Sequence, residues 1–191
     1  MIQRLAAATA VAGAMALAGP GAAQEEERTP PREEVLDSLF ARLAASENEE
    51  RADLVVASIW RVWLDSGSDT IDLLTRRAIK AMEEEEYETA LLILDEVVEL
   101  APDYAEGWNR RATVHYLMEH YDASIHDVRR ALALEPRHFG AMSGLGAMLK
   151  DIGREDAALA IYRRALEVHP HLPDAIEAIE ELTPEVEGRE I

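Results

Sequence analysis

The chain has 191 residues, of which 38 are acidic and 19 basic, giving a net charge of −19, and it contains no cysteine. A surface this acidic repels phosphate backbones and anionic headgroups, so nucleic acid and acidic membranes are not expected partners. The missing thiols exclude disulfides, zinc–thiolate sites and cysteine nucleophiles, and the few prolines and glycines among abundant alanine, leucine and glutamate favour helix.

The N-terminus opens with Arg4, then an uncharged, alanine-rich run from Leu5 to Ala18. Gly19, Pro20 and Gly21 break the run, and Ala22 and Ala23 precede Gln24. This order of charge, apolar stretch and small residues predicts a secretory signal peptide over 1–23, cut near Ala23. The apolar run is too short to span a bilayer, and no cysteine follows it to carry a lipid. The expectation is export without a stable membrane anchor, into the periplasm if the cell is Gram-negative. Residues 24–33 are charged and carry Pro30 and Pro31, which predicts a disordered linker with Thr29 or a neighbour capping the next helix.

Val35, Leu36, Leu39, Phe40 and Leu43 recur at helical spacing. Ser46 and Glu49 have the separation of a capping box for a second helix. That helix reads to about Asp65, with Leu54, Val55, Ile59, Val62 and Trp63 near one face and Gly67 placed for a left-handed C-terminal cap. Trp60 and Trp63 are three apart and share a face. Either both pack as core, or one stays exposed as an aromatic anchor for a partner.

From Ile71 the chain repeats itself every 34 residues, over 71–104, 105–138 and 139–172. Leu74, Trp108 and Met142 correspond, as do Ala78, Ala112 and Gly146. Further along each unit come Tyr87, Tyr121 and Glu155, then Ala90, Ser124 and Ala158, and finally Pro102, Pro136 and Pro170. Small residues at the eighth and twentieth positions let two antiparallel helices approach closely. Proline near the end of each unit stops its second helix. The pattern resembles the tetratricopeptide-repeat family over Ile71 to Leu172, and the leader would make this a small exported bacterial member.

The resemblance implies an all-α solenoid of about nine helices in antiparallel pairs. Residues 34–70 then read as a degenerate first pair: counted from Asp37 to Thr70, Ala44 falls at position eight, but Val56 and Ser68 stand where a small residue and proline would fall. This pair would cap the N-terminal end of the stack. Residues 173–183 read as a C-terminal capping helix, ended by Thr183 and Pro184, and 184–191 as a flexible acidic tail.

In this family the first helix of each repeat lines a concave groove. The corresponding residues here are Asp72, Thr75, Ile79, Met82 and Glu83; Glu106, Asn109, Thr113, Tyr116 and Leu117; and Gly140, Ser143, Ala147, Lys150 and Asp151. Members that hold a C-terminal carboxylate use basic groups where this chain has Ser143 and Ala147, so that ligand is not expected. The expected contacts are Ile79, Met82, Asn109, Thr113, Tyr116 and Leu117, with the groove open to a peptide or covered by the N-terminal pair. Arg76, Arg77, Arg110 and Arg111 form a ladder that reads as internal ion pairs, or as an anion site.

His115 falls at a core position, and no histidines have the spacing of a metal motif. No residue is expected to be catalytic, to bind a metal or to hold a cofactor. The expected function is an exported, non-enzymatic scaffold or adaptor for a protein or peptide. The alternative is a structural subunit of an envelope complex, assembling through the repeat ends and the N-terminal pair, with self-association possible.

Overall fold

Small residues at fixed spacing bring successive helices together in pairs, and the structure, a computed structural model, describes residues 30–188. The expected signal peptide, most of the linker with Thr29, and residues 189–191 lie outside the described residues. Among the described residues nine α-helices follow one another: α1 Arg32–Ala44, α2 Glu49–Leu64, α3 Asp69–Glu83, α4 Tyr87–Leu100, α5 Ala105–Leu117, α6 Tyr121–Leu134, α7 Phe139–Asp151, α8 Glu155–Val168 and α9 Pro173–Glu187. Among the described residues there is no strand, and no helix is long and apolar enough to cross a membrane.

The pairs α3–α4, α5–α6 and α7–α8 close on their small residues. Ala78, Ala90, Ser124 and Ala158 are fully buried, and Ser124 Oγ donates to the carbonyl of Ala112 at 2.6 Å, locking α6 to α5. The turns inside the pairs share one conformation. Glu85, Glu119 and Gly153, each 34 residues from the next, have φ of 59°, 60° and 71°. A side chain at such a φ is strained, whereas glycine is not. Glu85→Gly and Glu119→Gly should therefore each raise stability by about 0.5–1 kcal/mol, and Gly153→Ala should lower it by about 1 kcal/mol. Urea titrations of the three variants check this.

The N-terminal pair does not extend the stack. Leu36, Leu39, Phe40 and Leu43 of α1, with Val55, Ile59 and Trp63 of α2, share a core with Phe139 and Met142 of α7, residues of α8, and Leu172, Ala175 and Leu182 near α9. The α3–α4 core and the patch formed by Ile71, Val97 and Tyr104 are separate from it. The expected N-terminal cap is thus corrected: α1 and α2 fold back along the chain. Polar contacts fix the docking. Arg137 donates to Asp37 and lies over Phe40, 4.5 Å from the ring centre, and His171 Nε2 is 2.9 Å from the carbonyl of Ser46.

Two helix ends also differ from expectation. Asn48, not Ser46, caps α2, its side chain accepting from the Arg51 amide at 3.0 Å, while Ser46 Oγ donates back to the Arg42 carbonyl of α1. The last helix does not stop at Thr183 and Pro184 but runs to Glu187. Proline there costs one carbonyl its helical donor in the final turn. Buried Leu182 and partly buried Val186 hold that turn on the core.

Candidate functional site

A buried polar knot positions α2. Glu106, in the first turn of α5, is 1% exposed, and His138, which caps α7, is fully buried. The Ala141 amide donates to His138 Nδ1 at 3.1 Å, so the proton sits on Nε2 and is donated to Glu106 Oε2 at 2.9 Å. Asn109 Nδ2 and Arg110 Nε donate to the same carboxylate. Burial alone would raise the Glu106 pKa. The His138 hydrogen bond, the charge of Arg110 and the Asn109 amide outweigh it and hold the carboxyl below its ordinary value.

Trp63 stacks on His138, with ring centres 4.1 Å apart and planes 12° from parallel, and it also meets Phe139, Phe40 and Trp60. Trp60 sits over the start of α7. A Cβ at Gly140 would stand 2.9 Å from its ring, so only glycine allows this approach. Arg110 covers the ring at 5.5 Å. Sequence spacing alone does not reveal this knot, because Glu106 and His138 are 32 residues apart, at opposite ends of one repeat.

With α2 held there, its free side becomes one wall of a groove of about 510 Å³. Asp53, Val56 and Trp60 of α2 face Asn109, Thr113 and Tyr116 of α5. The lining continues along Gly140, Ser143, Gly144 and Ala147 of α7 to His169, Leu172, Pro173 and Asp174. Of the expected contacts, Asn109, Thr113 and Tyr116 meet here. Asn109 is 7% exposed and is engaged with Glu106, and Thr113 Oγ1 donates to the Asn109 carbonyl at 3.0 Å. The Tyr116 hydroxyl donates to Asp151 Oδ2 at 2.7 Å, bridging α5 to the end of α7. That hydrogen bond, then burial and the carboxylate charge, push the phenol up to about 12.

The other expected contacts lie elsewhere. Ile79 is half-buried on α3, Met82 packs on the α3–α4 core, and Leu117 is exposed outside the lining. Glu106, expected to face the groove, is buried beneath it. Trp63 is 1% exposed and presents nothing to a partner, so of the tryptophan pair only Trp60 reaches the lining.

The arginine ladder resolves into internal pairing where it meets α5. Arg110 bonds Glu106, and Arg111 grips buried Asp127 through two nitrogens, at 2.6 and 2.9 Å, while also reaching Asp95. Arg76 and Arg77 stay exposed on α3. His115 is half-buried rather than core, and burial lowers its pKa, partly offset by Asp127.

A family model described as tetratricopeptide repeat matches residues 105–138. The chain is 41% identical over 153 residues to a TPR repeat-containing protein of Rhizobium etli, covering 80% of this chain and 75% of that one. Its fold is similar to the first TPR of Spaghetti bound to an HSP90 peptide, with TM-score 0.59 and 19% identity over 61% of this chain and 92% of that one. It is likewise similar to the Yersinia enterocolitica type III secretion chaperone SycD in complex with a peptide of the translocator YopD. There the TM-score is 0.58, with 17% identity over 62% of this chain and 95% of that one.

Proposed function

Because the chain belongs to the tetratricopeptide-repeat family, we propose that it is an exported, non-enzymatic adaptor that holds a segment of a partner protein in the groove between α2, α5 and α7. The observation that carries this reading is the groove itself: its own N-terminal pair walls it but leaves about 510 Å³ open over small and apolar side chains. Peptides held by structures of this fold, the HSP90 peptide on Spaghetti and the YopD peptide on SycD, support peptide capture as its use. Export rests on the leader pattern of residues 1–23.

In the assembly alternative Trp63 is spent on the internal core, which leaves Trp60 and the repeat ends as its anchors. Cross-linking in the native cell, followed by affinity capture, tests the adaptor reading. Tyr116→Ala should cut recovery of the partner about fivefold, whereas Leu117→Ala, outside the lining, should leave it unchanged. Undiminished recovery with folded Tyr116→Ala protein removes the groove from the mechanism.

A further inference from the structure

We propose that the occupant of this groove is a basic, apolar protein segment: an apolar side chain beside Trp60 and above Gly144, with a lysine or arginine held by Asp53 and Asp174. This rests on the groove reading above and names the chemistry of the partner.

Charge points to it first. Among the described lining residues there is no lysine or arginine, and the formal charges are the carboxylates of Asp53 and Asp174. Both side chains are exposed, and neither makes a hydrogen bond or ion pair among the described residues. Several carboxylates of α5 to α9 are engaged within the protein: Glu106 by Arg110 and His138, Asp127 by Arg111, Asp151 by Tyr116 and Glu181 by Lys150. The pair at the groove is left for a cation from outside. The net charge of −19 draws such a segment in and repels an acidic tail.

A second, independent observation is His169. It lines the groove, is 3% exposed, and its Nδ1 has no hydrogen-bond partner in the protein. A buried ring nitrogen without a partner is costly, and a rotation of the ring toward the groove would let an amide of a bound backbone satisfy it. Burial, then the neighbouring His171, lowers the pKa of this imidazole, so it adds no positive charge against a basic ligand at neutral pH.

Shape is the third. Gly140, Ser143, Gly144 and Ala147 lie on one face of α7, and Trp60 closes over Gly140. A Cβ built on Gly144 meets nothing within 4 Å, so the helix backbone is bare to the groove at that point. A peptide backbone can lie close there while a side chain packs against Trp60.

The test uses the full mature chain and short, end-blocked fluorescent peptides of leucine, alanine and lysine, with a counterpart carrying glutamate for lysine. Fluorescence anisotropy should show the lysine peptide binding at least about tenfold tighter than the glutamate peptide, and weakening with salt. Asp53→Asn with Asp174→Asn should weaken the lysine peptide about tenfold, in keeping with two exposed charge pairs. Gly144→Leu should abolish binding by filling the groove, and its fold is checked by circular dichroism, since the new side chain enters open space. Equal binding of the two peptides, or an unchanged affinity in the double asparagine variant, overturns the basic-segment proposal. If Gly144→Leu still blocks binding, or still releases the partner cross-linked in cells when neither peptide binds, the groove reading stands and only the occupant's chemistry is wrong. If Gly144→Leu changes nothing in either assay, both readings fall.

Discussion

Trp63→Ala should lower the unfolding free energy by about 4 kcal/mol and loosen the N-terminal pair from the repeats. The indole is 1% exposed and touches four rings, stacked on His138 and tilted or edge-on to Phe40, Trp60 and Phe139. Truncation removes those contacts and opens a hole between α2 and α7 that rigid neighbours only partly fill. The Trp63 Nε1 proton has no partner, so Trp63→Phe sheds a buried unpaired donor while keeping a ring. It should lose less than half as much stability. Urea titration measures both losses, and limited trypsin digestion reports the loosening, because Arg51 and Arg61 on α2 are exposed. An alanine variant with the wild-type urea midpoint and cleavage pattern would show that the aromatic cluster does not hold α2.

Glu106→Ala should cost about 3 kcal/mol, because it strands the His138 Nε2 proton and the Asn109 amide inside the protein and leaves Arg110 without its partner. Glu106→Gln keeps an acceptor and the shape, and should fall between wild type and alanine. The same residue sets an acid limb. Its folded pKa is depressed below the ordinary 4.5, so the folded state binds this proton more weakly than the unfolded chain does. The stability it contributes is present above about pH 4.5 and is lost as pH falls through the lower folded value. Denaturation across that range should show wild type losing stability more steeply than Glu106→Gln, which has no carboxylate to protonate. Parallel acid limbs in the two proteins would mean that Glu106 is not the group being titrated. Since Glu106 and His138 set the seat of α2, both alanine variants, Trp63→Ala and Glu106→Ala, should also weaken partner capture, but only through loss of the groove wall.

The helical repeats could be read from local chemistry. Ala78 with Ala90 and Ala112 with Ser124 mark where two helices must touch, and Pro102, Pro136 and Pro170 mark where each pair ends. These constraints act over a few turns of chain and steric fit imposes them, so close helix pairing follows from spacing, while the all-α solenoid was what the resemblance to the repeat family implied. Asn109, Thr113 and Tyr116 were expected in the lining through the resemblance to the repeat family, whose first helices face the groove, and the structure places all three there.

The placement of α1 and α2 was not legible, and the groove depends on it. Their apolar faces, Leu36 with Leu43 and Ile59 with Trp63, say that these helices must be buried but not against what. A degenerate first repeat on α3 and a pair folded back over α7 and α9 both satisfy that pattern. The choice between them is made by long-range partners: Glu106 with His138, Asp37 with Arg137 across 100 residues, and the Ser46 carbonyl with His171 across 125. None of these pairs has a periodic spacing, because hydrogen bonds and ring stacking are selected by position in space. Local periodicity therefore determined the helices and their pairing. The three-dimensional fold decided which face each one buries, and with it made Trp63 core, Trp60 a groove wall, and Asp53 and Asp174 a pair open to solvent.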